Sequence, residues 1–141
     1  MGFYCFDGGV MLARLSETDA DGNTSKTTVA LKSDGTLLSL PGGYSPVSYS
    51  DGAILLEKNG RYGFMNTNGK WLCDPLYTYA SPFFEGLATV GGKDSKKGII
   101  DLNGNFVIPA VFDYISYCQD GVITLYDKQS GWCVLNKLTN E

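Results

Sequence analysis

The first chemical fact about this chain is that it contains no histidine. That removes the usual general base near neutral pH, the commonest metal ligand, and every Ser-His or Cys-His nucleophile pair. Glu17, Asp19, Asp21 and Gly22 copy positions 1, 3, 5 and 6 of a calcium loop, where alternate oxygens converge on the ion and a glycine permits the bend. The rest of that pattern is missing. Thr28 stands where a bidentate Glu is needed, Thr24 replaces the usual apolar residue, and strand-like runs flank the loop. Residues 15–26 therefore read first as a solvated hairpin loop, with Glu17, Asp19 and Asp21 kept as the metal-binding candidates. The four cysteines lack any Cys-x-x-Cys spacing, which favours buried free thiols over a disulfide or metal site. An acid precedes a glycine at Asp7, Asp51, Glu85 and Asp120. Lined up along one edge, such acids would attract a cation or a basic peptide, but fixing a turn is the simpler use.

The elements that must position these groups come from a repeat. The stretch Gly63 to Val90 recurs as Gly98 to Leu125 at a spacing of 35 residues without a gap. Gly63/Gly98, Asn68/Asn103, Gly69/Gly104, Tyr79/Tyr114, Ser81/Ser116, Gly86/Gly121 and Thr89/Thr124 are identical pairs. Ser33-Asp34-Gly35, Thr67-Asn68-Gly69 and Leu102-Asn103-Gly104 are tight turns between apolar runs, expected as type I′ hairpins with positive φ at both central residues. The strand after each turn ends at Pro41, Pro75 or Pro109, which cannot donate to a ladder. Asp7-Gly8 followed by Val10, Met11 and Leu12 parallels Asp51-Gly52 followed by Ile54 to Leu56. The unit is thus a three-stranded meander, in copies at about 9–41, 52–75, 86–109 and 121–136, joined by aromatic linking segments that serve as mortar between stacked copies.

In this scheme Cys73 falls where Ile108 falls, Cys133 where Met65 and Ile100 fall, and Cys5 and Cys118 at the places of Phe83 and Tyr49, all apolar or aromatic. Trp71, with Phe106 and Leu37 at its equivalent places, is expected in the core. Aromatics repeated in every copy read as core as well, leaving Tyr44, Tyr126 and Trp132 as the candidates for stacking on a ligand or partner.

Composition sets the outer bounds. At 141 residues the chain suits one domain, and its glycine, tyrosine and phenylalanine content points to short strands with almost no helix. A net charge of −4 offers no basic patch, so nucleic acid is a poor partner. No apolar run approaches the ~20 residues that span a bilayer as a helix, so membrane insertion is not expected. The chain opens and stops partway through a unit, as a segment of a longer protein would; the compartment is left undetermined.

Tyr62-Gly63-Phe64-Met65-Asn66, Asn68-Gly69, Pro75, Tyr77 and Phe83-Phe84-Glu85-Gly86-Leu87-Ala88 match in order a known bacterial unit, as do Gly98-Ile99-Ile100-Asp101, Asn103-Gly104, Pro109 and Phe112-Asp113. They resemble the WG repeat, which reads roughly Trp-Gly-Phe-Ile-Asp, a turn with Gly, a strand ending in Pro, a Tyr-Asp pair, then Phe-x-Glu-Gly-Leu-Ala. The signature Trp is replaced by Tyr62, Lys97 and Ser130, with Trp132 one place after Gly131. The resemblance implies a β-repeat fold and a role in interactions.

The sequence thus predicts an all-β chain of about eleven strands in stacked antiparallel meanders, open rather than closed. The alternative is a propeller-like or trefoil-like ring in which strands 9–14 and 131–136 meet. No catalytic residue and no cofactor site emerges. The expected function is a non-catalytic module for protein interaction or spacing, with glycan or cell-envelope binding through exposed Tyr and Trp as the alternative.

Overall fold

The computed structural model describes residues 9–117 and 121–136. Cys5, Asp7, Cys118 and Asp120 lie outside the described residues. The strands are β1 (Val10–Thr18), β2 (Thr24–Lys32), β3 (Ser45–Ser50), β4 (Ala53–Lys58), β5 (Arg61–Asn66), β6 (Trp71–Tyr77), β7 (Tyr79–Ala80), β8 (Leu87–Gly91), β9 (Lys97–Asp101), β10 (Phe106–Phe112), β11 (Tyr114–Tyr117), β12 (Val122–Asp127) and β13 (Gly131–Asn136). They form four antiparallel sheets in chain order: β1-β2, β3-β4-β5-β6, β7-β8-β9-β10 and β11-β12-β13. The fold is all-β, with no helix among the described residues. No described sheet closes on itself, and β1 and β13 belong to separate sheets.

The meanders carry one strand more than the sequence suggests. The linking segments supply β3, β7 and β11, each paired to the strand that follows. A link lying beside an open strand edge has backbone groups to satisfy, and that edge is the nearest partner. In the first copy the strand expected at 36–40 shrinks to one bridge, Leu31 to Leu37.

Two kinds of turn make the sheets. Two-residue type I′ turns, with positive φ at both central residues, occur at Asp51-Gly52 (52° and 79°), Asn59-Gly60 (52° and 75°) and Glu85-Gly86 (50° and 82°). The Asn68-Gly69 and Asn103-Gly104 turns differ from that expectation. Gly69 N–H donates to the Asn66 carbonyl (3.1 Å), Asn66 N–H donates to the Lys70 carbonyl (2.8 Å), and of the loop residues only Gly69 has positive φ. This is the three-residue hairpin in which a left-handed glycine closes a turn of ordinary hand. Its first residue matters as much as the glycine. Asn66 Oδ1 accepts from the amides of Asn68 (2.9 Å) and Lys70 (3.0 Å), and Asp101 Oδ1 accepts from Asn103 (2.9 Å) and Asn105 (3.0 Å).

Packing follows one rule across the stack. Val10, Leu12 and Ala30 of the first sheet meet Ile54, Leu56 and Met65 of the second. Ala53, Leu55 and Phe64 on the second sheet's other face meet Ala88, Val90 and Ile100 of the third. Leu87 and Ile99 on the third sheet's other face meet Ile123, Leu125 and Leu135 of the fourth. Central strands are therefore apolar on both faces and read as continuous runs such as Ala53–Leu56 rather than as alternation.

This arrangement corrects one equivalence. The positive-φ glycine that opens β1 is Gly9 (87°), so Val10 matches Ala53 and not Ile54. A one-residue slip of this kind moves every side chain to the other face.

Adjacent sheets are also tied by polar contacts. Asp51 Oδ2 accepts from the Gly86 amide (2.9 Å), and the Tyr117 hydroxyl donates to Glu85 Oε2 (2.9 Å). The acids that precede glycine thus reach across to the next copy. Asp113 Oδ1 accepts from Lys96 Nζ (2.8 Å) and its Oδ2 from the Lys128 amide (2.8 Å).

Trp71 is half-buried, edge-on to Tyr44 at 5.2 Å, but its equivalents Phe106 and Leu37 are exposed. That position is the border of the sheet, not a uniform core site.

Gly63 and Gly98 are fixed by close approach. A Cβ on Gly98 would lie 2.5 to 2.8 Å from backbone atoms of Ile108, Pro109 and Ala110, and one on Gly63 2.9 Å from Pro75 Cα; around Gly69 there is open space. Gly69→Ala should therefore cost only its positive-φ strain, about 1–2 kcal/mol. Gly98→Ala must displace a strand and should cost about 3 kcal/mol or more, in the range of severe overpacking. Urea unfolding of both variants checks this; equal losses would contradict it.

Candidate interaction surface

The calcium-like stretch is a turn of the kind just described. Gly22 N–H donates to the Asp19 carbonyl (3.0 Å) and Asp19 N–H to the Asn23 carbonyl (3.0 Å). Asp19 Oδ1 accepts from the amides of Asp21 (3.0 Å) and Asn23 (2.8 Å), and Asp19 Oδ2 accepts from Asn23 Nδ2 (3.3 Å). Asp19 thus occupies the place of Asn66 and Asp101. The Asn23 backbone amide, and its side chain after it, hold the Asp19 carboxyl below the usual carboxylate range. Glu17 is on β1 opposite Ser25, and Asp21 is exposed in the loop. Among the described residues no three His, Cys, Asp or Glu side chains converge as metal ligands would.

Of the aromatic candidates, Tyr44 packs on the core between the first two sheets, with Lys58 Nζ 5.3 Å from its ring centroid. Tyr126 and Trp132 come together instead. They face each other across β12 and β13, 4.8 Å apart and tilted by 42°, and Tyr114 lies across from Tyr126 on β11 and edge-on to Trp132 at 5.8 Å. The three form a row across the fourth sheet on the face away from its core. Trp132 is 65% exposed, Val134 beside it 63% and Tyr114 45%.

The sequence pointed to Tyr126 and Trp132 but missed Tyr114 and Val134. It also misplaced Trp132. Cys133 pairs with Leu125 as Gly98 pairs with Val90 and Gly63 with Leu56, so Trp132 stands in the place of Lys97 and Tyr62. Trp132 is the signature tryptophan of the last copy, and the 35-residue spacing from Lys97 carries that information. Cys133, expected among core positions, is exposed on the final strand; Cys73 is half-buried, and burial pushes its thiol up. Both are free thiols.

A concavity of about 400 Å³ opens between the third and fourth sheets, walled by Tyr79, Phe84, Leu87, Ile115 and Tyr117. Its Ser81 hydroxyl is committed to the Thr89 amide (2.9 Å).

The fold is a tandem stack of β-meander repeats. The family described as "WG containing repeat" matches residues 62–96 and 98–124, and over this stretch the chain belongs to the WG-repeat family. Among solved structures the chain is similar to "Crystal structure of HIRA(644-1017)", at 13% identity and a TM-score of 0.41, covering 98% of this chain and 50% of that one. The chain therefore spans about half of that structure, and a likeness this loose carries no argument. No curated protein matches the chain. Among the described residues no helix is long and apolar enough to cross a membrane.

Two outcomes follow from this geometry. Because Asn does the same work in the Asn66 turn, Asp19→Asn should leave the melting temperature unchanged and Asp19→Ala should lower it, with or without calcium; a calcium-dependent rise lost in Asp19→Asn would restore the metal reading. For the inter-sheet tie, the Lys96 ammonium first and the Lys128 amide second hold the Asp113 carboxyl below its usual range. A lowered folded-state pKa stabilises above the unfolded value of about 3.9, and the contribution is lost as pH falls through the folded value. The stability gap between wild type and Asp113→Asn should be constant near neutral pH and close below about pH 4 in pH-dependent melts.

Proposed function

We propose that this chain is a non-catalytic repeat module that binds a protein partner through the outer face of its fourth sheet. The observation that carries this reading is the exposed row of Tyr114, Tyr126 and Trp132 with Val134 beside it. Contiguous apolar surface on a soluble domain marks interaction sites, and Trp and Tyr are the residues that anchor them. The polar chemistry is spent elsewhere: Asp19, Asp101 and Asp113 accept backbone amides, and the chain has no imidazole. Sugar stacking on the same row is the second reading, favoured by the exposure of Trp132. Val134 offers nothing to a sugar hydroxyl, which favours protein.

A photo-cross-linking amino acid placed at position 132 in the host cell distinguishes the two. A covalent protein adduct is expected. Absence of any protein adduct, together with saturable quenching of tryptophan fluorescence by cell-wall fragments that disappears in Trp132→Phe, would contradict the protein reading.

A further inference from the structure

Two neighbouring interfaces of the stack use equivalent positions but are filled differently. Between the second and third sheets the ring of Phe83 is buried, 4.6 Å from the ring of Phe64 and edge-on to it, in the cluster that holds Ala53, Leu55 and Ala80. The strand pairings put Leu87, Thr89, Ile99 and Ile115 where Ala53, Leu55, Phe64 and Ala80 stand one copy earlier. All four line the concavity of about 400 Å³ between the third and fourth sheets. The open volume therefore lies where the preceding interface holds an aromatic ring. In the sequence the residue 35 places after Phe83 is Cys118, so this copy supplies no ring of its own at that place.

The walls set the chemistry of what fits. Among the described residues no lining side chain carries a formal charge, and Thr89 and Ser116 bring hydroxyl groups to otherwise apolar and aromatic walls. A charged ligand would give up its hydration there without a counter-charge, whereas a neutral ring gives up little. Such a ring also gains edge-to-face contacts of the kind that Phe84 makes with Tyr117 at 5.6 Å. We infer that the concavity binds a neutral aromatic small molecule, seated where Phe83 sits one copy earlier. Its volume is at the small end of ligand sites. A ring carried on a peptide suits it less well. The Ser81 amide is bonded to the Thr89 carbonyl (2.9 Å) and the Thr89 amide to the Ser81 hydroxyl (2.9 Å), so an incoming backbone has little to pair with on that wall. The site is separate from the row of Tyr114, Tyr126 and Trp132, and either can fail without the other.

Amide-resolved NMR titration of the isotope-labelled 141-residue chain tests this, with indole as the probe. Indole is expected to shift the amides of Leu87, Thr89, Ile99 and Ile115 saturably, with a Kd on the order of 1 mM or tighter, as befits one small ring. Benzoate, a charged ring, is expected to leave them in place. Ser116→Trp carries a ring of its own into the concavity and should abolish the indole shifts. Phe84→Ala removes a wall residue that is 42% exposed, so the chain should stay folded while indole binds about threefold more weakly or worse. If the spectrum of Ser116→Trp is that of an unfolded chain, Phe84→Ala decides alone. The inference is overturned if those four amides do not shift saturably, if benzoate binds as well as indole, or if Phe84→Ala leaves the affinity unchanged. Tighter binding at the same amides by a capped tryptophan peptide than by indole also overturns it, assigning the concavity to a side chain of a polypeptide instead of a free molecule.

Discussion

Every sheet in this molecule has two apolar faces, and the rest of the structure follows from the need to cover them. Ile54, Leu55 and Leu56 point in alternating directions from one strand, yet each is at most 2% exposed. A lone meander of this size would leave half of those side chains in water, at about 1.5–3 kcal/mol for each large one. Stacking removes that cost by giving both faces of each interior sheet a neighbour. It also explains why the covering contacts form one positional pattern, since a 35-residue unit that solves the problem once solves it again at the next copy. The polar ties from Asp51 to Gly86 and from Tyr117 to Glu85 then fix the copies at their turns.

How much of this was legible in the sequence depends on which signal each feature leaves. Spacing is exact and survives substitution, so Gly63, Gly69, Gly98 and Gly104 revealed the repeat, the all-β class and the turns. The turn type was harder. Asn-Gly is shared by the two-residue and three-residue hairpins, and the deciding residue is the one that accepts the loop amides, Asn66 or Asp101. The same acceptor explains Asp19: a carboxylate two places before another acid looks like a metal loop, although it is the cap of an ordinary turn. The strand register at the amino end was not readable from hydrophobicity. When both faces of a strand are apolar, a one-residue slip moves apolar side chains onto apolar sites and leaves no mark. Asp7-Gly8-Gly9 offered two glycines, and only backbone geometry chooses Gly9.

The candidate surface was half legible for a related reason. Tyr126 and Trp132 stood out because no equivalent copy has an aromatic at the Tyr126 place, and the structure sets them side by side. Tyr114 was hidden because Tyr79 repeats it and repetition reads as core, yet both are exposed. In the third sheet Lys97 lies over Tyr79 at 4.6 Å, whereas in the fourth Trp132 takes that place beside Tyr114. One position, Lys in one copy and Trp in the next, separates a solvated border from an apolar surface.

The central claim is that the sheets hold one another together across shared faces. Native-state hydrogen exchange on Leu55→Ala tests it most directly, since that side chain contributes only to the interface between the second and third sheets. The account predicts that amides in β4, β5, β8 and β9 lose protection by a common factor, because neither interior sheet survives without the other. Protection lost in β4 and β5 alone, with β8 and β9 unchanged, would contradict it.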